Sequence, residues 1–399
     1  MNVQTNFPAE LLATDGGARA NEILRSCVHC GFCNATCPTY QLTGDELDGP
    51  RGRIYLIREL LETGENQARA TRHLDRCLTC RACETTCPSG VAYGELAEFA
   101  REQIGPRRTG MAGKLRNFLQ WMVPHASRLR SMARLGRAFR WFVPARLAKN
   151  LPSEIGLGVM ASSDLARSVL LLNGCAQQVS TAGTNSHFVR LLADHDIGVQ
   201  TSAAESCCGS LDLHLGDRAA AMIPIRRNVD SFYPLLGSVE AIVSTASGCG
   251  VTIKDYGRLL ADDPEYAERA AALSEATVDV SEYLLSANLK LEKSHAAEKV
   301  AWHSPCTLQH GQQVTGVVET LLQQAGYTLT KVSDAHLCCG SAGTYSILQP
   351  HLSEQLKKNK LTALQQGEPD VIATANVGCQ THLYGASEVD VVHWIELLK

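Results

Sequence analysis

The sequence predicts an α+β multidomain chain: a helical N-terminal part, then a duplicated α/β module built on parallel sheets. Three observations predict it. Sixteen cysteines fall into two blocks flanking a basic stretch, at 27, 30, 33, 37, 77, 80, 83 and 87, and at 175, 207, 208, 249, 306, 338, 339 and 379. Each block repeats internally, the first after fifty residues and the second after about 130. The second half also alternates short apolar runs with helical patterns, which marks strand–helix–strand units. With 399 residues, 45% hydrophobic and 20% charged, the chain can build more than one core and is not disordered. The parts divide at 1–105, 106–164, 165–295 and 296–399.

The first block carries the sharpest chemistry. Residues 27–38 read CVHCGFCNATCP and residues 77–88 read CLTCRACETTCP. Both fit C-x2-C-x2-C-x3-C-P, the run of bacterial two-cluster ferredoxins. Three closely spaced thiolates let a tight loop wrap one corner of an iron–sulfur cubane, and the proline turns the chain away. In such proteins the fourth cysteine ligates the other cluster. Cys27, Cys30, Cys33 and Cys87 are therefore assigned to one [4Fe–4S] cluster, and Cys77, Cys80, Cys83 and Cys37 to a second. Zinc is the alternative, but it takes paired C-x2-C ligands, not a third cysteine and a proline, twice over. Two adjacent one-electron centres without a substrate pocket of their own make a wire.

Between the runs, Pro50 precedes an amphipathic helix over 53–63, with Ile54, Ile57, Leu60 and Leu61 on one face and Gly64 suited to the C-cap. Arg51 and Arg53 either lie near a cluster, or dock an acidic partner, or are solvated charges at a helix start. A further helix is expected over 91–104. His29, inside the first run, reads as a neighbour of the cluster and not a ligand.

Residues 101–150 hold twelve Lys or Arg against one acid, Glu102, although the whole chain is at −4. Leu115, Phe118, Leu119 and Met122 share helical spacing, as do Leu129, Met132, Leu135 and Phe139, with Pro124 and Pro144 bounding the second helix. Trp121 and Trp141 sit near the ends. Such a composition suits an interfacial helix on anionic lipid, or a helical linker packed on the protein's own acidic parts or another subunit. Nucleic acid is not expected, because no recognition motif accompanies the charge.

In the second half Cys175, Cys207-Cys208-Gly209 and Cys249 are matched by Cys306, Cys338-Cys339-Gly340 and Cys379. Strands are expected at 168–173, 198–202 and 241–246, and at 300–304, 327–332 and 371–375. Helices are expected near 181–195, 217–236, 314–325 and 352–366. Apolar strands joined by helices imply parallel pairing with right-handed crossovers. The cysteines then fall just past the carboxyl ends of strands, where open α/β sheets build ligand sites. Four thiolates per module suit a cluster, a zinc ion, or no permanent metal. His303, His310, His336 and His382 lie near these cysteines, either as packed side chains or as ligands and proton relays.

Taken together, the words CVHCGFCNATCPTYQLTGDELDGPRGRIYLI, HLDRCLTCRACETTCPSGV, CTLQH, HLCCGSAGTY and GCQTHL resemble the iron–sulfur subunits of membrane-associated, flavin-dependent hydroxyacid dehydrogenases. This family includes glycerol-3-phosphate dehydrogenase, lactate-utilisation and heterodisulfide reductase subunits, and the longer words point to its glycolate oxidase branch. The resemblance implies FAD on a partner chain that oxidises glycolate to glyoxylate. It implies electrons passed through two [4Fe–4S] clusters towards a quinone, with this chain the electron-transfer subunit of an oxidoreductase. No G-x-G-x-x-G opens a βαβ unit here, so no flavin site is expected. The fullest form of the module carries a fifth cysteine, where this chain has Ala246 and Asn376, which argues against a disulfide-reducing site. The rival expectations are such a thiol/disulfide enzyme, a zinc-bound or metal-free scaffold, and a lactate or glycerol-3-phosphate relative.

No apolar run reaches the ~18 residues of a membrane span, and the N-terminus lacks a basic flank before an apolar core. A cytoplasmic chain is expected, peripheral on the inner membrane, with its thiols reduced.

Overall fold

The computed structural model describes residues 3–105, 108, 110–139, 141, 155–156, 159 and 165–399. Pro144 and residues 142–150 of the basic stretch lie outside the described residues. The chain forms two compact units. The first comprises residues 1–116 with 211–218 and 336–360, and the second comprises 117–210, 219–335 and 361–399.

The first unit is helical. Helix Pro50–Thr63 starts with proline at its first turn and ends at Gly64 in the left-handed conformation (φ +71°), whose N–H bonds Leu60 O. Proline costs nothing there, because its missing N–H would have no helical partner. The helix is buried on more than the expected face. Ile54, Ile57 and Leu61 join a core with Ile23, Leu24, Leu74 and Leu96, while Leu56 and Leu60 pack with Ala70. Each such burial stabilises by about 1.5–3 kcal/mol. Helix Tyr93–Ile104 closes this core through Leu96, Ala97 and Ala100.

The second unit holds two four-stranded parallel sheets of the same order, β2-β1-β3-β4 and β6-β5-β7-β8. Their strands are β1 Arg167–Leu171, β2 Ile197–Gln200, β3 Ile242–Ser244, β4 Thr277–Asp279, β5 Lys299–His303, β6 Thr328–Leu329, β7 Val371–Thr374 and β8 Asp390–His393. The register runs Arg167↔Ile197 in one copy and Lys299↔Thr328 in the other, so the duplication extends to the pairing. Val169, Leu170 and Leu171 are all fully buried, as parallel strands covered on both faces must be. The expected strands and helices are present, and β4 and β8 add one edge strand to each sheet. In each sheet the order reverses between the first and third strands, the position where doubly wound sheets open a crevice at their carboxyl ends.

Helix Ala126–Ala138 of the basic stretch packs on helix Gln177–Ser180, with Arg130 donating to Gly156 O (2.8 Å) and Gln178 Oε1 (3.3 Å). Its outer face leaves Met132, Leu135 and Phe139 exposed. No helix among the described residues is long and apolar enough to cross a membrane.

Candidate metal centres

Each cysteine run is a helix end followed by two left-handed residues and a short helix. Cys27 caps helix Asp15–Ser26, His29 (φ +53°) and Gly31 (φ +86°) turn the loop, and helix Phe32–Ala35 follows. In the second run Thr79 (φ +53°) and Arg81 (φ +59°) turn it, and helix Ala82–Thr85 follows. Left-handed backbone curls N–H groups inward, as in anion-binding nests; the Thr79 N–H already donates to Cys77 Sγ (3.4 Å). Cys37 and Cys87 each stand directly before a proline.

The fourth cysteines sit with the opposite runs. Cys87 lines one cavity of about 420 Å3 with Cys27, Cys30 and Cys33. Burial and the neighbouring Cys27, Cys87 and Cys30 push the Cys33 thiol up to about 11. Burial pushes Cys83 up as well, with Cys80, Cys77 and Cys37 adding to it. Buried thiols such as Cys33 and Cys83 resist ionising, and a set of four soft donors around them fits a cationic iron core that would stabilise their thiolates.

The surroundings of Cys37 are charged and buried. Arg53, 1% exposed, points a guanidinium nitrogen at Cys37 Sγ (3.9 Å) and donates to His73 O (2.9 Å) and Thr39 Oγ1 (3.1 Å). Asp48, fully buried, lies 3.8 Å from Arg53 and takes Arg76 (2.8 Å) and His73 Nδ1 (2.7 Å). The solvated-charge reading therefore fails for Arg53. Arg51 borders the first cavity and pairs with Glu46 (2.6 Å). His29 stacks on Tyr55 (4.4 Å between rings), with its Nδ1 3.9 Å from Cys27 Sγ, the position of a neighbour.

In the first module the four thiols meet in the crevice. Cys175 follows β1, Cys207 and Cys208 follow β2, and Cys249 lies in helix Ser247–Lys254 after β3. Cys175 Sγ is 3.5 Å from Cys207 Sγ, and hydrogen bonding continues through Cys208 to Cys249. All of this fits a soft metal centre. Glu205, beside this group, accepts the N–H groups of Asn173 (2.9 Å) and Gly174 (2.8 Å), while Asn228 and Tyr256 bond the carbonyls of Cys207 and Cys208. In the second module Cys306 follows β5 and Cys379 lies in helix Val377–Tyr384, both in the second unit. Cys338 and Cys339 are buried in the first unit, where the Gly340 N–H donates to Cys338 Sγ (3.4 Å).

Residues 23–91 match the profile of a 4Fe-4S dicluster domain, and residues 169–254 and 300–384 each match that of a cysteine-rich domain. The chain is 44% identical over 401 residues to the glycolate oxidase iron-sulfur subunit of Escherichia coli (strain K12), covering 100% of this chain and 98% of that one. The chain belongs to the glycolate oxidase iron–sulfur subunit family. It is also 30% identical over 392 residues to a probable glycolate oxidase iron-sulfur subunit of Bacillus subtilis (strain 168), 89% of this chain and 87% of that one. Lactate utilization protein A of Bacillus licheniformis is 26% identical over 239 residues, 58% of this chain and 98% of that protein.

Two features of this glycolate oxidase-type chain have a physical reason that spacing alone does not supply. Asn376, at the position of the absent fifth cysteine, is the N-cap of helix Val377–Tyr384: its side chain accepts the Gly378 N–H (2.8 Å) and donates to Ser247 Oγ (3.2 Å) and Thr307 Oγ1 (3.3 Å). An amide performs that cap where a thiol would not. The glycines of the two Cys-Cys-Gly words both have φ +88°, and a Cβ would come within 2.8 Å of Ile225 at Gly209 and 2.7 Å of Ser353 O at Gly340. Asp48, His73, Thr79, Glu205 and Tyr256 went unread in the sequence, although Thr79 stands between Cys77 and Cys80, Asp48 and His73 stand inside the quoted words, and Glu205 stands two residues before a Cys-Cys-Gly word.

Proposed function

We propose that this chain is the electron-transfer subunit of a flavin-dependent complex oxidising glycolate to glyoxylate, taking electrons from FAD on a partner chain and delivering them to a quinone. The observation that supports this reading is that Cys87 lines a cavity with Cys27, Cys30 and Cys33, a crossing that would hold two centres side by side if Cys37 makes the reciprocal one. Cys27, Cys30, Cys33 and Cys87 would hold one [4Fe–4S] cluster, and Cys77, Cys80, Cys83 and Cys37 the other. Bound there, such clusters supply reversible one-electron transfer. The chain's own contribution is to ligate, to bury and to set the charge nearby, chiefly through Arg53.

Cys30 is exposed, with Val28, Phe32 and Tyr55 exposed around the same run. That apolar rim supports electron entry from the flavoprotein at the first cluster. Cys175, Cys207, Cys208 and Cys249 would hold a further cluster or zinc, and Cys306, Cys338, Cys339 and Cys379 are the matching set. Exposed Phe118, Trp121, Leu135, Phe139 and Trp141, with Arg128 stacked over Trp121 (4.7 Å), support peripheral attachment to an anionic, cytoplasmic membrane face. The parts 1–105, 106–164, 165–295 and 296–399 then serve as wire, attachment and two thiolate modules, and substrate choice lies in the partner chain.

The test is purification with the partner chains and with Cys80→Ser. Flavin reduction by glycolate should persist while reduction of an external dye falls at least tenfold. Loss of flavin reduction itself in an intact complex would overturn the reading.

A further inference from the structure

The two cysteine blocks space their sulfurs differently. In the first module Cys175 Sγ lies 3.5 Å from Cys207 Sγ. Side-chain hydrogen bonds link Cys207 to Cys208 and Cys208 to Cys249, so each of the four thiols touches another. In the first cysteine run Cys27, Cys30, Cys33 and Cys87 instead stand around a cavity of about 420 Å3. Among the described residues no sulfur–sulfur hydrogen bond joins those four, and Cys33 feels the other three only as neighbouring charges.

The two spacings fit different metals. Four thiolates on one tetrahedral zinc ion stand about 3.8 Å apart, the edge of a tetrahedron whose Zn–S arms are ~2.3 Å. A cubane sets each thiolate on its own iron, which holds the sulfurs roughly 6 Å apart. The contact of 3.5 Å falls close to the first value and far short of the second. The surrounding bonds oppose any widening. Cys207 and Cys208 are 6% and 8% exposed. The Asn228 amide donates to Cys207 O (3.0 Å), the Tyr256 hydroxyl donates to Cys208 O (3.0 Å), and Asn228 Oδ1 accepts the Ser206 N–H (2.7 Å). Asn228 and Tyr256 are themselves buried. At Gly174, left-handed at φ +69°, an added Cβ would lie 3.8 Å from Cys249 Sγ. Spreading the sulfurs by roughly 2.5 Å to admit a cubane works against these anchors.

We propose that the first module holds one structural zinc ion on Cys175, Cys207, Cys208 and Cys249, and no third iron–sulfur cluster. A closed set of four thiolates is a structural zinc site, and zinc binds such donors more tightly than ferrous iron does. The inference rests on the function proposed above and takes this module out of the electron path, because zinc has no redox chemistry. The ion would tie together the segments that follow β1, β2 and β3 and would contribute to folding.

The test counts zinc, iron and sulfide in the intact complex after dialysis against EDTA, and reads the zinc K-edge by X-ray absorption. At least one zinc per chain is expected, with sulfur neighbours at about 2.3 Å. Cys175→Ser with Cys249→Ser should lose about one zinc per chain, keep its iron and sulfide, and lower the apparent Tm by at least ~5 °C. Cys249→His supplies a donor that zinc accepts, so it should keep the ion and exchange one sulfur neighbour for nitrogen. A wild-type complex without zinc overturns the inference whether or not the variants fold. So does a zinc edge unchanged in both variants, or the loss of iron in place of zinc. Reduction of the clusters by glycolate is read separately. Clusters reduced in a zinc-free complex remove the zinc site and leave the wire standing. Zinc bound in a complex whose clusters glycolate does not reduce removes the wire and leaves the zinc site.

Discussion

Removing the buried guanidinium beside Cys37 should lower the potential of the cluster that Cys37 would hold. Arg53 Nη1 lies 3.9 Å from Cys37 Sγ. At an effective dielectric of ~20, a unit charge at that distance interacts by about 4 kcal/mol. An added electron spreads over the iron and sulfide beyond the thiolate, roughly twice as far away, which leaves about 2 kcal/mol, or roughly 90 mV for a one-electron couple. A positive charge favours the reduced form, so Arg53→Gln should shift the midpoint down by about that amount. The variant should also lose about 3 kcal/mol of stability, at the low end for breaking a buried ion pair, because Asp48 keeps Arg76 and His73. The assay is a spectroscopic redox titration of the anaerobic complex, alongside thermal loss of cluster absorbance. Arg53→Lys retains the charge and should recover most of the potential. A shift below about 20 mV with iron retained, or an Arg53→Lys midpoint equal to that of Arg53→Gln, would refute the electrostatic argument.

Three further outcomes follow from the packing. Asp279, buried at the N-cap of helix Val280–Ala287, is pushed up to about 6, mainly by burial, against ~3.9 in the unfolded chain. Its native state binds the extra proton, so its contribution is full below pH ~4 and lost as pH rises to about 6, by ~3 kcal/mol at most. Asp279→Asn keeps the cap and should shrink the change in apparent Tm between pH 5 and 7.5; an unaltered difference would contradict this. Gly209→Ala and Gly340→Ala should cost about 2–4 kcal/mol each from left-handed backbone and overpacking, seen as lowered Tm. The second should cost more, because a backbone oxygen yields less than the Ile225 side chain. Cys249→Ser in the full chain should remove about one zinc or about four iron by elemental analysis, and an unchanged metal content would mean that the first module holds none through Cys249.

The cysteine runs were legible because their chemistry is local: ligand spacing, left-handed turns and the proline all fall within a dozen residues. The inner strands were legible because Val169–Leu172 and Val371–Ala373 are apolar without interruption, as strands covered on both faces must be. The edge strands β4 and β8 were not, since they are short, carry Asp279 or Asp390, and pair on one side only. Arg53 was left open between a place near a cluster, a partner-docking charge and a solvated one, because a helical pattern by itself assigns charges to solvent and nothing in it shows that Asp48, five residues earlier, is buried beside it. Nor does any local signal show that residues 211–218 and 336–360 join the first unit, which is how His214 and Tyr345 come to share a cleft with Cys77. Those are tertiary facts, carried by contacts distant in sequence.

Iron counting on two double variants, purified anaerobically, is the most direct test of the crossed arrangement. Cys37→Ser with Cys77→Ser strikes a single centre if the fourth cysteines cross, so about four iron atoms of the two runs should remain. Cys37→Ser with Cys27→Ser strikes both, and none of those irons should remain. The reverse pattern, or a wild-type chain that is colourless and free of iron, contradicts the account.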